Sequence, residues 1–186
     1  MRTILLLGFI LITLAISQGS DACVGRILTI GISNSVSEQL LAEIVSQLVS
    51  ERTGTNVRIV RFGNARDMYS AVKRGEVSLV IENLDRGSQQ LARNREKPSR
   101  ELYDVIKKEY RKNYNLVWFE PFGESRFYAP VVALEVLETL PALPKLVGKL
   151  AGILNDETYA GLLKSVKSDD RARQVAKDFL KSRRLI

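Results

Sequence analysis

The sequence predicts an α/β protein in which a mainly parallel sheet lies between two layers of helices, a three-layer sandwich. Three observations carry this. Apolar runs of strand length alternate with amphipathic helical patterns from residue 26 to residue 81. The helical patterns open on capping residues and close on glycine. The order strand–helix–strand–helix–strand brings successive strands side by side in parallel, with right-handed crossovers. At 186 residues and 45% apolar composition, the chain has material for one domain with an ordinary core.

The elements follow in order. "RILTIGI" (residues 26–32) is the first strand. In the next segment Leu40, Leu41, Ile44, Val45, Leu48 and Val49 recur at helical spacing and form one apolar face. Ser35 and Glu38 have the spacing of a capping box, and Gly54 marks the stop. "NVRIVRF" (56–62) alternates as a second strand. Asn64 caps a second short helix, with Asp67 three residues on and Gly75 at its end. "VSLVI" (77–81) is the third strand. Residues 85–99 are polar and charged and read as a loop with room for one helical turn. Residues 100–112 form a helix with Leu102, Val105, Ile106 and Tyr110 on one side. "NLVWFEPFG" is a fourth strand running into a turn, and "APVVALEVL" starts extended and becomes helical. Helical stretches at 143–151, 156–166 and 169–183 close the chain.

Composition excludes several functions. There is no histidine and one cysteine, Cys23. A histidine-based triad, a cysteine–histidine pair, the usual zinc site and an intrachain disulfide are all ruled out. The charge of +7 comes from Lys and Arg interleaved with acids, the pattern of a solvated surface and not of a nucleic-acid face. Residues 1–22 have the layout of a secretory signal peptide, with Arg2, an apolar run over 4–16, then small and polar residues. The run is shorter than the roughly 20 residues a membrane span needs. Cys23 is a lipidation candidate after Ser20, Asp21 and Ala22; cleavage after Ala22 with a free thiol is the alternative. Residues 23–186 are read as one α/β lobe, exported to the periplasm or anchored by lipid at the outer face of the cytoplasmic membrane.

Open α/β sheets bind ligands beyond the carboxyl ends of their strands. The residues there are Ser33, Asn34 and Ser35 after the first strand, Gly63 and Asn64 after the second, and Glu82 and Asn83 after the third. The first two groups open onto helix N-termini, which favour an anion such as a carboxylate. Capping alone also accounts for Ser35 and Asn64. Glu38 and Glu82 are two carboxylates with no nucleophile or metal cluster beside them, a weak signal for acid–base catalysis. "RFGNARD" lacks the Gly-Lys-Ser/Thr of a phosphate loop. The reading is therefore not an enzyme, with no cofactor.

"ILTIGISNSVSEQLLAEIVSQLVSERTGTNVRIV", "MYSAVKRGEVSLVIE", "LYDVIKKEYRKNYNLVWFEPFG", "APVVALEVLETLPAL", "LNDETYAGLL" and "VAKDFLKSRRLI", in this order, resemble the glycine betaine/choline/carnitine substrate-binding proteins of osmoprotectant ABC importers. The resemblance implies a periplasmic type II binding-protein fold of two lobes closing on a ligand. It also implies two departures. Tyr128 and Ala129 run straight into Pro130, Val131 and Val132, where the family builds its second lobe, so this chain is expected to be a single lobe. The family's third-strand loop, of the type "YPEYTGT", here holds Glu82, Asn83, Leu84 and Asp85, so both cage tyrosines are lost while the glutamate remains. Each aromatic cage ring contributes about 0.5–2 kcal/mol to holding a quaternary ammonium.

Two functions are implied. In the first, the chain is the exported solute-binding component of a quaternary-amine ABC uptake system. Its binding is weak or partner-dependent, at Ser33, Asn34, Ser35, Gly63, Asn64, Glu82 and Tyr128. Its partners are an ABC permease or a second binding-protein chain, a homodimer included, with membrane contact only through a lipid anchor. In the second, it is an interaction or regulatory protein that docks through the face left by the missing lobe, around Phe122, Phe127 and Tyr128.

Overall fold

A computed structural model describes residues 27–93, 96–166 and 169–186. The leader at 1–22 and Cys23 lie outside the described residues. One five-stranded sheet organises them, in the order β2-β1-β3-β5-β4. Strands β1 (Leu28–Ser33), β2 (Val57–Phe62) and β3 (Leu79–Glu82) are parallel; β5 (Ala129–Ala133) runs antiparallel to both β3 and β4 (Leu116–Trp118). The sheet is thus mainly parallel, as the alternation of elements predicts.

On one face lie α1 (Val36–Thr53), α5 (Leu134–Thr139), α6 (Leu143–Ala151), α7 (Asp156–Lys164) and α8 (Asp169–Ser182). On the other lie α2 (Ala65–Lys73), α3 (Leu84–Gln90) and α4 (Arg100–Tyr114). Strand alternation divides the core between them. Ile30, Ile32, Leu79, Ile81 and Val132 pack with the α1 layer, whereas Val80, Ala129 and Val131 pack with Tyr103, Ile106, Tyr110 and Trp118. Helix α1 is apolar along its predicted face, and Leu40, Leu41, Ile44, Val45, Leu48 and Val49 are all buried. It ends on Gly54 at φ 70°, a left-handed cap that glycine adopts without penalty.

One element departs from the sequence reading. Residues 85–99 begin not as a loop but as the second residue of α3, a two-turn helix whose N-cap, Asn83, accepts from the Arg86 N–H at 3.0 Å. Its polar sequence, LDRGSQQ, hides a buried side formed by Leu84, Gly87 and Ser88. Gly87 is required by close approach: a Cβ there would lie 2.8 Å from the Trp118 ring. Gly87→Ala is therefore expected to lower unfolding free energy by about 1–3 kcal/mol in urea denaturation. A Cβ on Gly63 meets nothing within 4 Å, so Gly63→Ala serves as the control and changes stability by less than about 1 kcal/mol.

Candidate functional site

Four strand ends meet at one pole of the sheet. The parallel β1–β2 register pairs Ser33 with Phe62, which sets residues 33–35 beside residues 63–64. The β3–β5 register pairs Glu82 with Ala129, which brings Tyr128 to the same pole. Ser33, Asn34, Ser35, Gly63, Asn64, Glu82 and Tyr128 are thus gathered at one end of the sheet, though not on one open surface.

Asn34, Gly63 and Asn64 are exposed. Ser35 and Asn64 act as N-caps, accepting from the Glu38 N–H at 3.5 Å and the Asp67 N–H at 2.9 Å. Glu38 does not complete a capping box on Ser35; its Oε2 accepts instead from the Ser33 N–H at 2.7 Å. Glu82 is 0% exposed, and Tyr128 is buried as well. Phe122 and Phe127 are also buried, so the docking face expected around Phe122, Phe127 and Tyr128 is instead part of the core. The chain closes over it locally. The Phe122 N–H donates to the Tyr128 carbonyl at 2.6 Å. Asp156, at the start of α7, accepts from the Glu124 and Ser125 N–H groups at 2.9 and 3.1 Å and from the Ser125 hydroxyl at 2.7 Å. Burial pushes the Asp156 carboxyl up, but these donors outweigh it and hold it below the usual carboxylate range.

The centre of this pole is Arg86, on the first turn of α3. Its Nη1 donates to Glu38 Oε1 at 2.8 Å and its Nη2 to the Ile81 carbonyl at 2.5 Å. Its Nε lies 2.6 Å from Glu82 Oε1, an ion-pair contact without hydrogen-bond alignment. Glu82 Oε1 also accepts from the Asn83 N–H at 2.9 Å, and Oε2 accepts from the Tyr69 hydroxyl at 2.5 Å. The Tyr110 hydroxyl is 2.8 Å from that of Tyr69. If Tyr69 gives its proton to Glu82, the bond between the two hydroxyls uses the Tyr110 proton, for which the Gly87 carbonyl at 3.4 Å competes. Glu38 belongs to the α1 layer, Glu82 to the end of β3 in the sheet, and Tyr69 and Tyr110 to the α2–α4 layer. Arg86 joins them around the end of β3.

The electrostatics follow from burial. Burial pushes the Glu82 carboxyl up, and Arg86, Tyr69 and the Asn83 N–H offset only part of that. Tyr69 is raised well above the ordinary phenol, first by burial and then by Glu82 beside it; Tyr110 is raised for the same reasons. Burial disfavours the Arg86 charge, and the two carboxylates more than compensate, so it stays charged. Beside this cluster, Tyr159 of α7 packs edge-on against Tyr128 with ring centroids 6.2 Å apart. Its hydroxyl is buried near Ser37 without an aligned hydrogen bond, and burial pushes it up to about 12.

Glu38 and Glu82, two carboxylates whose separation the sequence leaves open, sit on the same guanidinium. Arg86, Tyr69, Tyr110 and Tyr159 were not foreseen. The one local signal was the Glu82–Arg86 spacing of four residues across a capping asparagine. Cavities of about 660 and 690 Å³ lie elsewhere, one at the amino ends of β1 and β3 and one between α2 and α4. Among the described residues no cluster of three metal-ligating side chains occurs, and no helix is long and apolar enough to cross a membrane.

Two outcomes follow from the clamp. Arg86→Met leaves two buried carboxylates without their partner and is expected to cost about 3–5 kcal/mol in chemical denaturation, most of it recovered in E38Q/E82Q/R86M. The folded pKa of Glu82 lies above its unfolded value of about 4.3, so its contribution to stability is complete below that value and is lost as pH rises through the folded one. The wild-type minus Glu82→Gln difference in unfolding free energy should therefore fall as pH rises across that window. A difference that is flat with pH, or that rises, contradicts the assignment.

Residues 27–129, just over half of the chain, match the family model for the substrate-binding domain of ABC-type glycine betaine transport systems. The fold is similar to that of a glycine betaine/carnitine/choline ABC transporter crystal structure, with a TM-score of 0.76 and 11% identity over 86% of this chain and 98% of that one. It is also similar to apo YehZ from Escherichia coli, with a TM-score of 0.75 and 14% identity over 87% of this chain and 100% of the other. No curated protein sequence matches the chain. At such identities the structural likeness bears on the fold alone, while the family match covers β1 through the entry to β5 and hence every residue of the strand-end pole but those of α7. The chain belongs to the family of substrate-binding domains of ABC-type glycine betaine transport systems, whose work is solute binding for import and not catalysis.

Proposed function

We propose that this chain is an exported, single-lobe solute-binding component of an ABC uptake system, taking a small zwitterion or quaternary amine of the glycine betaine or choline type. The observation that carries this is the side-by-side placement of residues 33–35 and 63–64 at the N-termini of α1 and α2. Free N–H groups there favour a ligand carboxylate; Tyr128 at the neighbouring strand end is buried, so it meets the cationic part only where the turn over it opens. One lobe covers one side of a ligand, whereas well-formed pockets bury about 70–90% of it. Binding is accordingly weak until a permease or a second binding-protein chain supplies the other wall. The leader over 1–22 exports the chain, and a lipid on Cys23 holds it near that permease.

A second reading is favoured by the burial of Glu82 and Tyr128 and by the engagement of Glu82 with Arg86. In it the lobe has kept the fold, lost the ligand, and acts by docking to a second copy or another transport component. Calorimetry of the folded chain with glycine betaine, choline and carnitine separates the two. Saturable heat at millimolar ligand is expected. Its absence, together with a stable dimer or hetero-complex in sedimentation, would establish the second reading in place of the first.

A further inference from the structure

The strand-end pole holds a pair of carboxylates, and the chain has already filled it. We infer that Arg86 is the specificity-determining residue of this pole: its guanidinium is a built-in cation that occupies the Glu38–Glu82 pair and turns a free cationic ligand away from it. The inference deepens the proposed function and rests on its reading of the strand ends as the ligand face.

Four contacts define the occupancy. Nη1 is on Glu38 Oε1, Nη2 is on the Ile81 carbonyl, and Nε faces Glu82 Oε1. The fourth is through the backbone, where the Arg86 N–H donates to the Asn83 side chain and fixes the root of the residue at the start of α3. The side chain is 16% exposed and the two carboxylates 3% and 0%. A ligand ammonium approaching the carboxylates therefore meets the guanidinium first. The remaining carboxylate oxygens are also committed, Glu38 Oε2 to the Ser33 N–H and Glu82 Oε2 to the Tyr69 hydroxyl. Every oxygen of the pair thus already carries a donor or a cation, and a second cation within a few ångströms of Arg86 is repelled. The pole so built rejects a cation between its carboxylates. It leaves the exposed rim at Asn34, Gly63 and Asn64 as the part open to a ligand's anionic end.

The test removes the built-in cation and asks whether an external one takes its place. Wild type, Arg86→Ala and Arg86→Lys are titrated with methylguanidinium and with choline, followed by thermal midpoint and by calorimetry. Methylguanidinium is expected to raise the midpoint of Arg86→Ala saturably and to leave wild type unmoved, and the rescue should vanish in E38Q/R86A. Choline should bind Arg86→Ala at least about tenfold more tightly than wild type. Arg86→Lys keeps the charge and should hold choline binding at the weak wild-type level. It also serves if Arg86→Ala does not fold, since tight choline binding to Arg86→Lys overturns the inference. Choline binding equally to wild type and folded Arg86→Ala overturns it while leaving the ligand reading intact. Gain in Arg86→Ala with no ligand bound by wild type defeats the ligand reading and upholds the role of Arg86.

Discussion

A guanidinium held between two buried carboxylates at the end of β3 ties the three layers of this protein together. Glu38 comes from the long helix on one face, Glu82 from the sheet, and Tyr69 and Tyr110 from the helices on the other face. Each group is tolerable in the interior only because the others are present, since an isolated buried charge is far more costly than a paired one. The helix that carries Arg86 depends in turn on Asn83 at its N-cap and on the missing side chain at Gly87, which lets it approach the Trp118 ring. The clamp therefore fixes the geometry of the pole as well as its charge.

The same pole contains the junction where the chain enters β5. Phe127 sits there at φ 48°, a left-handed conformation that an aromatic residue adopts at a cost of about 1–3 kcal/mol. Its surroundings hold it: the ring stacks on Tyr103 with centroids 6.2 Å apart, and the bridge between Phe122 and Tyr128 and the grip of Asp156 on the preceding turn fix the backbone on either side. The expectation of an open, apolar docking surface at this junction fails for that reason. Aromatic residues in a turn look exposed in a sequence, but here Phe122 and Tyr128 pack into the core on the α1 side of the sheet and Phe127 into the core on the other.

The fold was legible because its signals are local and periodic. The apolar spacing of α1, the caps at Ser35 and Asn64, and the glycine stop at residue 54 each act within a few residues. The succession of elements and most helix bounds follow from them, whereas the sheet order and the antiparallel β5 rest on pairing between distant segments. Helix α3 was missed because its buried side rests on a leucine, a glycine and a serine, which carry no apolar periodicity. The positions of the candidate site residues along the chain were legible too, since strand ends can be read off strand bounds. Their surroundings were not. Glu38 and Arg86 are 48 residues apart, and Tyr69 and Tyr110 are 41 apart. Nothing in the spacing of such pairs reveals that they share one hydrogen-bonded cluster.

The central claim is that Arg86 is locked in place by both carboxylates, and the side-chain 15N–1H spectrum of the full-length protein's arginines reports on it directly. With Arg86 assigned from the signal lost in Arg86→Lys, a locked guanidinium gives separate, slowly exchanging Nη–H resonances that glycine betaine does not shift. A single averaged, rapidly exchanging Nη signal for Arg86 would mean that the residue swings free in solvent, and the account of this pole would fall with it.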